Sequence, residues 1–208
     1  MAKITDIVEQ KRDKKRTSIY LDGKFYCGIS LETIYNFNIK IGDEISESEL
    51  AEIQFDSEKN TAYDKALVFI SKSLKTKRQV KEHLINKGYL DKTVDYCINK
   101  LIEYNFINDY EYCASYVRTY KNQRGAKVIE RDLRLKGIDF NLIDKAIESE
   151  YDGGKTTAIR IAEKYLKNKD KTKENYAKAY KHLLSKGFDY DEISEALSSV
   201  WGDKWNEF

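Results

Sequence analysis

One stretch of the chain looks like phosphate chemistry. Asp152-Gly153-Gly154-Lys155-Thr156-Thr157 ends in the Gly-Lys-Thr of a nucleotide-binding loop. Such a loop follows a hydrophobic strand, so that its backbone amides can cradle the phosphates while the Lys reaches the outer ones. Here the first Gly of the pattern would stand at Ser149, and residues 143–151 read as helix. A helix stop, a Gly turn and a new helix start are expected instead. His83 and His182, the only histidines, each precede a Leu at a place where a similar stretch has Asp132, which predicts surface positions and no general base. Cys27, Cys97 and Cys113 are odd in number and widely spaced, which fits neither a disulfide framework nor a zinc site. Cys113 lies in the apolar stripe of Tyr112, Tyr116 and Val117, so it reads as core packing and not as a nucleophile. Carboxylates sit beside lysines along helix faces, as at Glu163 and Lys167, in ordinary surface pairing. The residues therefore predict no enzyme, and no metal or cofactor.

What remains is charge. Residues 72–87 hold six Lys or Arg (Lys72, Lys75, Lys77, Arg78, Lys81, Lys87) against one acid, and residues 118–136 hold seven (Arg118, Lys121, Arg124, Lys127, Arg131, Arg134, Lys136) against two. A single cluster of this kind reads as a solvated helix face. Two clusters at matching places predict one basic surface for a polyanion or an acidic protein. Lys11, Arg12, Lys14, Lys15 and Arg16 add a basic tract at a turn. Tyr112, Tyr116 and Tyr120 stand among these cations at helical spacing and read as a packing stripe with hydroxyls at its edge, in preference to a platform for bases.

Spacing along the chain predicts the helices that carry these side chains. Three stretches end alike: Leu84-Ile85-Asn86-Lys87-Gly88-Tyr89, Leu133-Arg134-Leu135-Lys136-Gly137-Ile138 and Leu183-Leu184-Ser185-Lys186-Gly187-Phe188. Their glycines are 49 and then 50 residues apart. Each reads as a helix end with Gly in the left-handed conformation, where the following apolar residue folds back on the Leu. Two helical segments precede each Gly, over 62–73 and 77–87, 110–122 and 126–136, and 156–167 and 173–186. A third follows, with matching apolar positions at Val94, Ile143 and Ile193 and small residues at Cys97, Ala146 and Ala196. The fold expected is mainly α, three tandem three-helix repeats over 59–107, 108–152 and 153–208 that form an elongated curved array. Before them, residues 1–58 predict a small β-containing headpiece. Alternation over 3–29 gives a meander, with a hairpin at Asp22-Gly23, then a helix over 31–37 capped by Ser30 and another over 47–55 capped by Ser46.

Composition sets the outer bounds. The chain has 208 residues, 41% hydrophobic, and 37 Lys+Arg nearly balance 35 Asp+Glu, so no global basic field is present. With no Pro and only 10 Gly, an all-β chain is disfavoured. Apolar runs of a few residues predict no membrane span, and the first residues lack the apolar core of a secretory leader, so a cytoplasmic protein is expected.

In the middle repeat, Asn108-Asp109, Tyr112-Cys113, Tyr116-Val117-Arg118, Gly125, Ile129, Leu133 and Lys136-Gly137-Ile138 resemble the central repeat of the RecX regulatory proteins. The first repeat is similar through Ala66-Leu67, Ser71, Val80, Leu84 and Lys87-Gly88, and the third through Tyr180, Leu183, Lys186-Gly187-Phe188, Tyr190 and Ile193. The headpiece resembles the N-terminal extension of some members. The resemblance covers nearly the whole chain, although Lys72 and Lys77 stand where the family commonly has Arg, and Ser185-Lys186 replaces a usually basic pair. The third repeat is thus less Arg-rich than the pattern, and no binding role is carried onto it.

The resemblance implies a noncatalytic protein that binds the RecA recombinase filament within its groove and inhibits ATP hydrolysis and strand exchange. It also implies roles in recombination, DNA repair and the SOS response. Arg78, Lys81, Arg118, Lys121, Arg124, Lys127, Arg131 and Arg134 are the candidates for contact with the filament or, weakly, with single- or double-stranded DNA. A monomer is expected. Two other readings stay open: a helical-repeat DNA-binding module with no recombinase partner, and an adaptor with protein partners alone.

Overall fold

The computed structural model describes residues 1–11 and 13–202. Arg12 of the basic tract, and 203–208 at the end of the expected third repeat, lie outside the described residues. Two compact units emerge, residues 1–74 with 79–107, and residues 75–78 with 108 onward.

The first unit opens with strands β1 (Ala2–Glu9), β2 (Arg16–Leu21) and β3 (Lys24–Ser30). β2 and β3 are joined by the expected tight turn, with Asp22 and Gly23 both at positive φ, 48° and 77°. That conformation matches the right-handed twist of the flanking strands. A two-residue strand, β4 (Glu44–Ile45), pairs with β1 through Ala2 and Ile45, giving the antiparallel order β3-β2-β1-β4. Two residues are too few to show alternation, so sequence pattern does not reveal this strand. Helix α1 (Leu31–Asn36) is capped by Ser30, whose hydroxyl accepts from the Thr33 amide.

The helix after Ser46 departs from expectation. Residues 47–55 and 62–73 do not form separate helices but belong to one, α2 (Glu47–Ile70), which runs through the expected boundary at 58. Between them lie Asp56, Ser57, Glu58, Lys59, Asn60 and Thr61, with neither Gly nor Pro to stop a helix. What changes there is the partner. Leu50 and Ile53 pack under the sheet with Ile4, Ile19 and Ile29, whereas Ala62 and Ala66 pack with Val80, Leu84, Val94 and Leu101. The second group is the core of repeat one, completed by α3 (Lys77–Asn86) and α4 (Asp91–Glu103).

The second unit holds α5 (Asp109–Tyr120), α6 (Ala126–Leu135) and α7 (Phe140–Glu150), then α8 (Lys155–Leu166), α9 (Lys173–Ser185) and α10 (Tyr190–Trp201). Each triplet closes on its own buried core, Ile129, Leu133 and Ile143 in one and Leu183, Phe188, Ile193 and Leu197 in the other. Cys97, Ala146 and Ala196 are all fully buried, the close-packed positions that their shared place in the repeat predicts.

The repeat stop is built as expected. Gly88, Gly137 and Gly187 have φ of 85°, 78° and 91°. In the first and third copies the next amide reaches back to the Leu carbonyl, Tyr89 to Leu84 at 3.3 Å and Phe188 to Leu183 at 3.4 Å. A β-carbon would strain that left-handed position, and Gly lacks one. The 75–78 segment belongs to the second unit, where it meets the end of α6. Thr76 Oγ1 donates to the Lys136 carbonyl at 3.1 Å, and the Arg78 side chain lies over Gly137.

Candidate functional site

Of the eight basic candidates, six lie on α5, on α6 or in the turn between them, and most are engaged by carboxylates. Arg124 Nη1 lies 2.6 Å from Asp132 Oδ2, and its guanidinium covers the Tyr120 ring at 4.5 Å. Arg131 holds Oδ1 of the same carboxylate at 3.2 Å, and the Tyr116 hydroxyl donates to Oδ2, the oxygen that Arg124 holds, at 3.2 Å. Arg118 is drawn across to Glu150 at 2.6 Å. Lys121 donates to the Glu150 carbonyl and lies 3.2 Å from Asp152. Arg134 pairs loosely with Glu130 at 3.5 Å, and Lys127 is exposed with no ion pair among the described residues.

The cluster at 72–87 divides between the units. Lys81 stands 3.4 Å from Asp95 in the first unit, and exposed Arg78 belongs to the second. Counting charges along the chain could not anticipate Glu150, Asp152 and Asp95, which tertiary folding brings in from other helices. Exposed pairs of this kind contribute roughly 0.2–1 kcal/mol each and leave the cations available for exchange with a partner. Lys127, Arg131 and Arg134 are spaced at one and nearly two helical turns and form an outward face on α6.

The tyrosine stripe is a ladder on α5. Tyr112 and Tyr116 are stacked at 6.3 Å, Tyr116 and Tyr120 lie at 4.4 Å, and Lys136 Nζ sits 5.8 Å from the first two ring centres. All three tyrosines are half-buried, in keeping with a packing role.

The histidines are not the surface positions expected. His83 lies flat on Phe69 with ring centres 4.0 Å apart, and His182 flat on Tyr165 at 4.5 Å. Both are half-buried. Burial, with Lys87 and Lys72 near His83 and with Lys186 and Lys169 near His182, holds both imidazoles below the usual histidine pKa. They are thus neutral at pH 7. The aromatic partners stand at helical positions that no spacing rule joins to a histidine on another helix, so neither stack leaves a signal in the sequence.

The Gly-Lys-Thr segment turns out to be closed by the protein itself. Glu192, 7% exposed, accepts from the Gly154 amide at 2.6 Å and the Tyr151 hydroxyl at 3.4 Å, while its second oxygen accepts from the Asp189 amide at 2.8 Å. A carboxylate therefore occupies the start of α8, where a phosphate would have to sit. Burial pushes the thiols of Cys97 and Cys27 up to about 11, and that of Cys113 up to about 12, leaving all three protonated near neutrality. Among the described residues, no group of three or more His, Cys, Asp or Glu is placed to hold a metal ion, and no helix is long and apolar enough to cross a membrane.

Four family models match the chain in order. They are the regulatory protein RecX N-terminal domain over residues 2–46, and the first, second and third RecX three-helix domains over 62–101, 108–147 and 156–197. Among similar proteins, the regulatory protein RecX of Bacillus licheniformis is 34% identical over 96% of this chain and 78% of its own length. That of Clostridium tetani is 34% identical over 95% and 94%, and that of Clostridioides difficile 35% identical over 96% of both. A crystal structure of a regulatory protein RecX superposes with a TM-score of 0.63 at 29% identity, over 92% of this chain and 97% of that one. A crystal structure of RecX from Lactobacillus salivarius gives 0.65 at 32% identity, over 69% and 96%.

Proposed function

Because the chain belongs to the RecX family of regulatory proteins, we propose that it is a noncatalytic regulator that binds the RecA recombinase filament and inhibits its ATPase and strand-exchange activities. The observation that carries this reading is the three helix triplets in tandem, each with its own closed core and with cations exposed on its surface. A partner made of repeated protomers can be engaged at several weak points at once, and linked weak contacts give high affinity without a deep pocket. Inhibition then needs no acid, base or nucleophile, in keeping with thiols that stay protonated and imidazoles engaged in stacking. The protein acts in the cytoplasm as a monomer and modulates recombination, DNA repair and the SOS response.

The test is the rate of ATP hydrolysis by RecA on single-stranded DNA as this protein is titrated in, with DNA in excess. Inhibition at substoichiometric protein supports direct action on the filament. No inhibition, or inhibition abolished by excess DNA, overturns it.

A second reading, a helical-repeat module acting on DNA alone, is favoured by one observation, the outward face of Lys127, Arg131 and Arg134 on α6. It predicts tight binding to bare duplex with a steep salt dependence, since each neutralised phosphate releases counterions.

A further inference from the structure

Between α8 and α9 runs an open groove whose cations are Arg160, Lys164 and Lys186 and whose end is formed by Asn122 and Gln123. Among the described residues no carboxylate lines it, and neither Lys164 nor Lys186 makes an ion pair. Arg160 is spent only on a backbone carbonyl, that of Asn122. The floor is the Tyr165–His182 stack, and Lys169 Nζ lies 3.2 Å from the centre of the tyrosine ring. Groups this close cannot share one face of a ring, so His182 and Lys169 cover opposite faces. No base can stack on Tyr165.

The middle repeat shows what this place is built to hold. Position 182 corresponds to Asp132, and Tyr116 stands beside Asp132 as Tyr165 stands beside His182. There the carboxylate is gripped by Arg124 at 2.6 Å and Arg131 at 3.2 Å. The chain thus supplies its own anion in the middle repeat. In the third repeat an uncharged imidazole takes that position and the surrounding cations are left unneutralised.

We propose that the α8–α9 groove is a binding site for the phosphodiester backbone of a nucleic-acid strand, held without regard to base. The cations are spread over two helices and not gathered at one point: Arg160 and Lys164 lie one turn apart on α8, and Lys186 stands at the end of α9. A string of regularly spaced monoanions satisfies such a spread better than one carboxylate does. The amides of Asn122 and Gln123 add donors that suit phosphate oxygens. The covered ring faces remove the stacking platform that base contacts would use.

The experiment is fluorescence anisotropy of a labelled oligothymidylate with the whole protein, across a salt series and with no RecA present, so that its failure leaves the RecA reading standing. In the combined Arg160→Gln, Lys164→Gln, Lys186→Gln variant, affinity is expected to fall at least about tenfold, and the slope of log K against log salt by about 2, near 0.7 per lost phosphate contact. His182→Asp, which installs the middle repeat's carboxylate, is expected to weaken binding as well. The combined variant alters only partly or fully exposed side chains, so it decides the matter should His182→Asp unfold. An oligoadenylate of equal length is expected to bind with equal affinity. Unchanged affinity and slope in the combined variant would overturn the site. Displacement of the oligonucleotide by poly-glutamate at equal charge concentration would overturn the nucleic-acid assignment in favour of an acidic protein.

Discussion

Gly125 and Gly187 meet backbone to backbone. The Gly125 amide donates to the Lys186 carbonyl at 2.9 Å, and a β-carbon on Gly125 would lie 2.2 Å from the Gly187 carbonyl carbon. The contact joins the start of α6 to the end of α9, so two triplets are locked where neither has a side chain.

Gly125→Ala is therefore expected to destabilise the protein by about 1–3 kcal/mol, the range for forcing atoms into a packed site. The displaced neighbour is backbone and cannot rotate away. Gly153→Ala is the comparison: its φ is 82° but nothing lies within 4 Å, so only backbone strain of about 1 kcal/mol applies. Urea unfolding followed by circular dichroism should rank Gly125→Ala as the costlier. Equal costs would mean that the glycine contact relaxes freely.

Glu192→Ala removes a buried acceptor from the amides of Gly154 and Asp189. A loss of about 1–3 kcal/mol is expected from donors left unsatisfied. Hydrogen exchange at Gly154 should quicken more than exchange within α6. A uniform change across both helices would argue against a local role at the start of α8.

The histidine stacks make stability depend on pH. Both imidazoles have pKa values below the ordinary 6.5. The unfolded chain therefore binds more protons as pH falls through that value. Stability should drop from pH 7 downward through 6.5 until the folded-state values are passed, and then level off. The double variant His83→Gln, His182→Gln should show a shallower drop between pH 7 and pH 5. A drop as steep as in the parent would place the dependence in other groups.

On α6, Lys127→Glu, Arg131→Glu and Arg134→Glu together are expected to weaken inhibition of RecA ATP hydrolysis by about tenfold, through reversed charge on an exposed face. Arg118→Ala should change it less, since Glu150 already engages that side chain. The reverse ranking would move the contact surface from α6 to α5.

Local signals carried most of the fold. The glycine stops, the caps at Ser30 and Ser46 and the hairpin at Asp22-Gly23 depend on neighbours within a few residues, and their chemistry can be read along the chain. α2 was legible at both ends but not as one helix, because its apolar stripe changes partner midway while its backbone continues. The candidate site was legible only as charge. Which cations are occupied depends on carboxylates such as Glu150 and Asp95, tens of residues or a helix away. The groove of the third repeat is not legible along the chain, because Arg160 and Lys164 lie one helix turn apart and Lys186 stands beyond a loop and the whole of α9, so they form no run.

The unbroken α2 has a consequence for how this chain acquires its order. One helix serves as the lid of the sheet and as the first member of a triplet, so the two cores share a continuous ladder of backbone hydrogen bonds with no hinge between them. Loss of either core frays the helix that completes the other. Headpiece and first triplet should melt in a single cooperative step, and a gene fragment beginning at residue 59 would inherit a triplet lacking the nucleus from which its first helix grows.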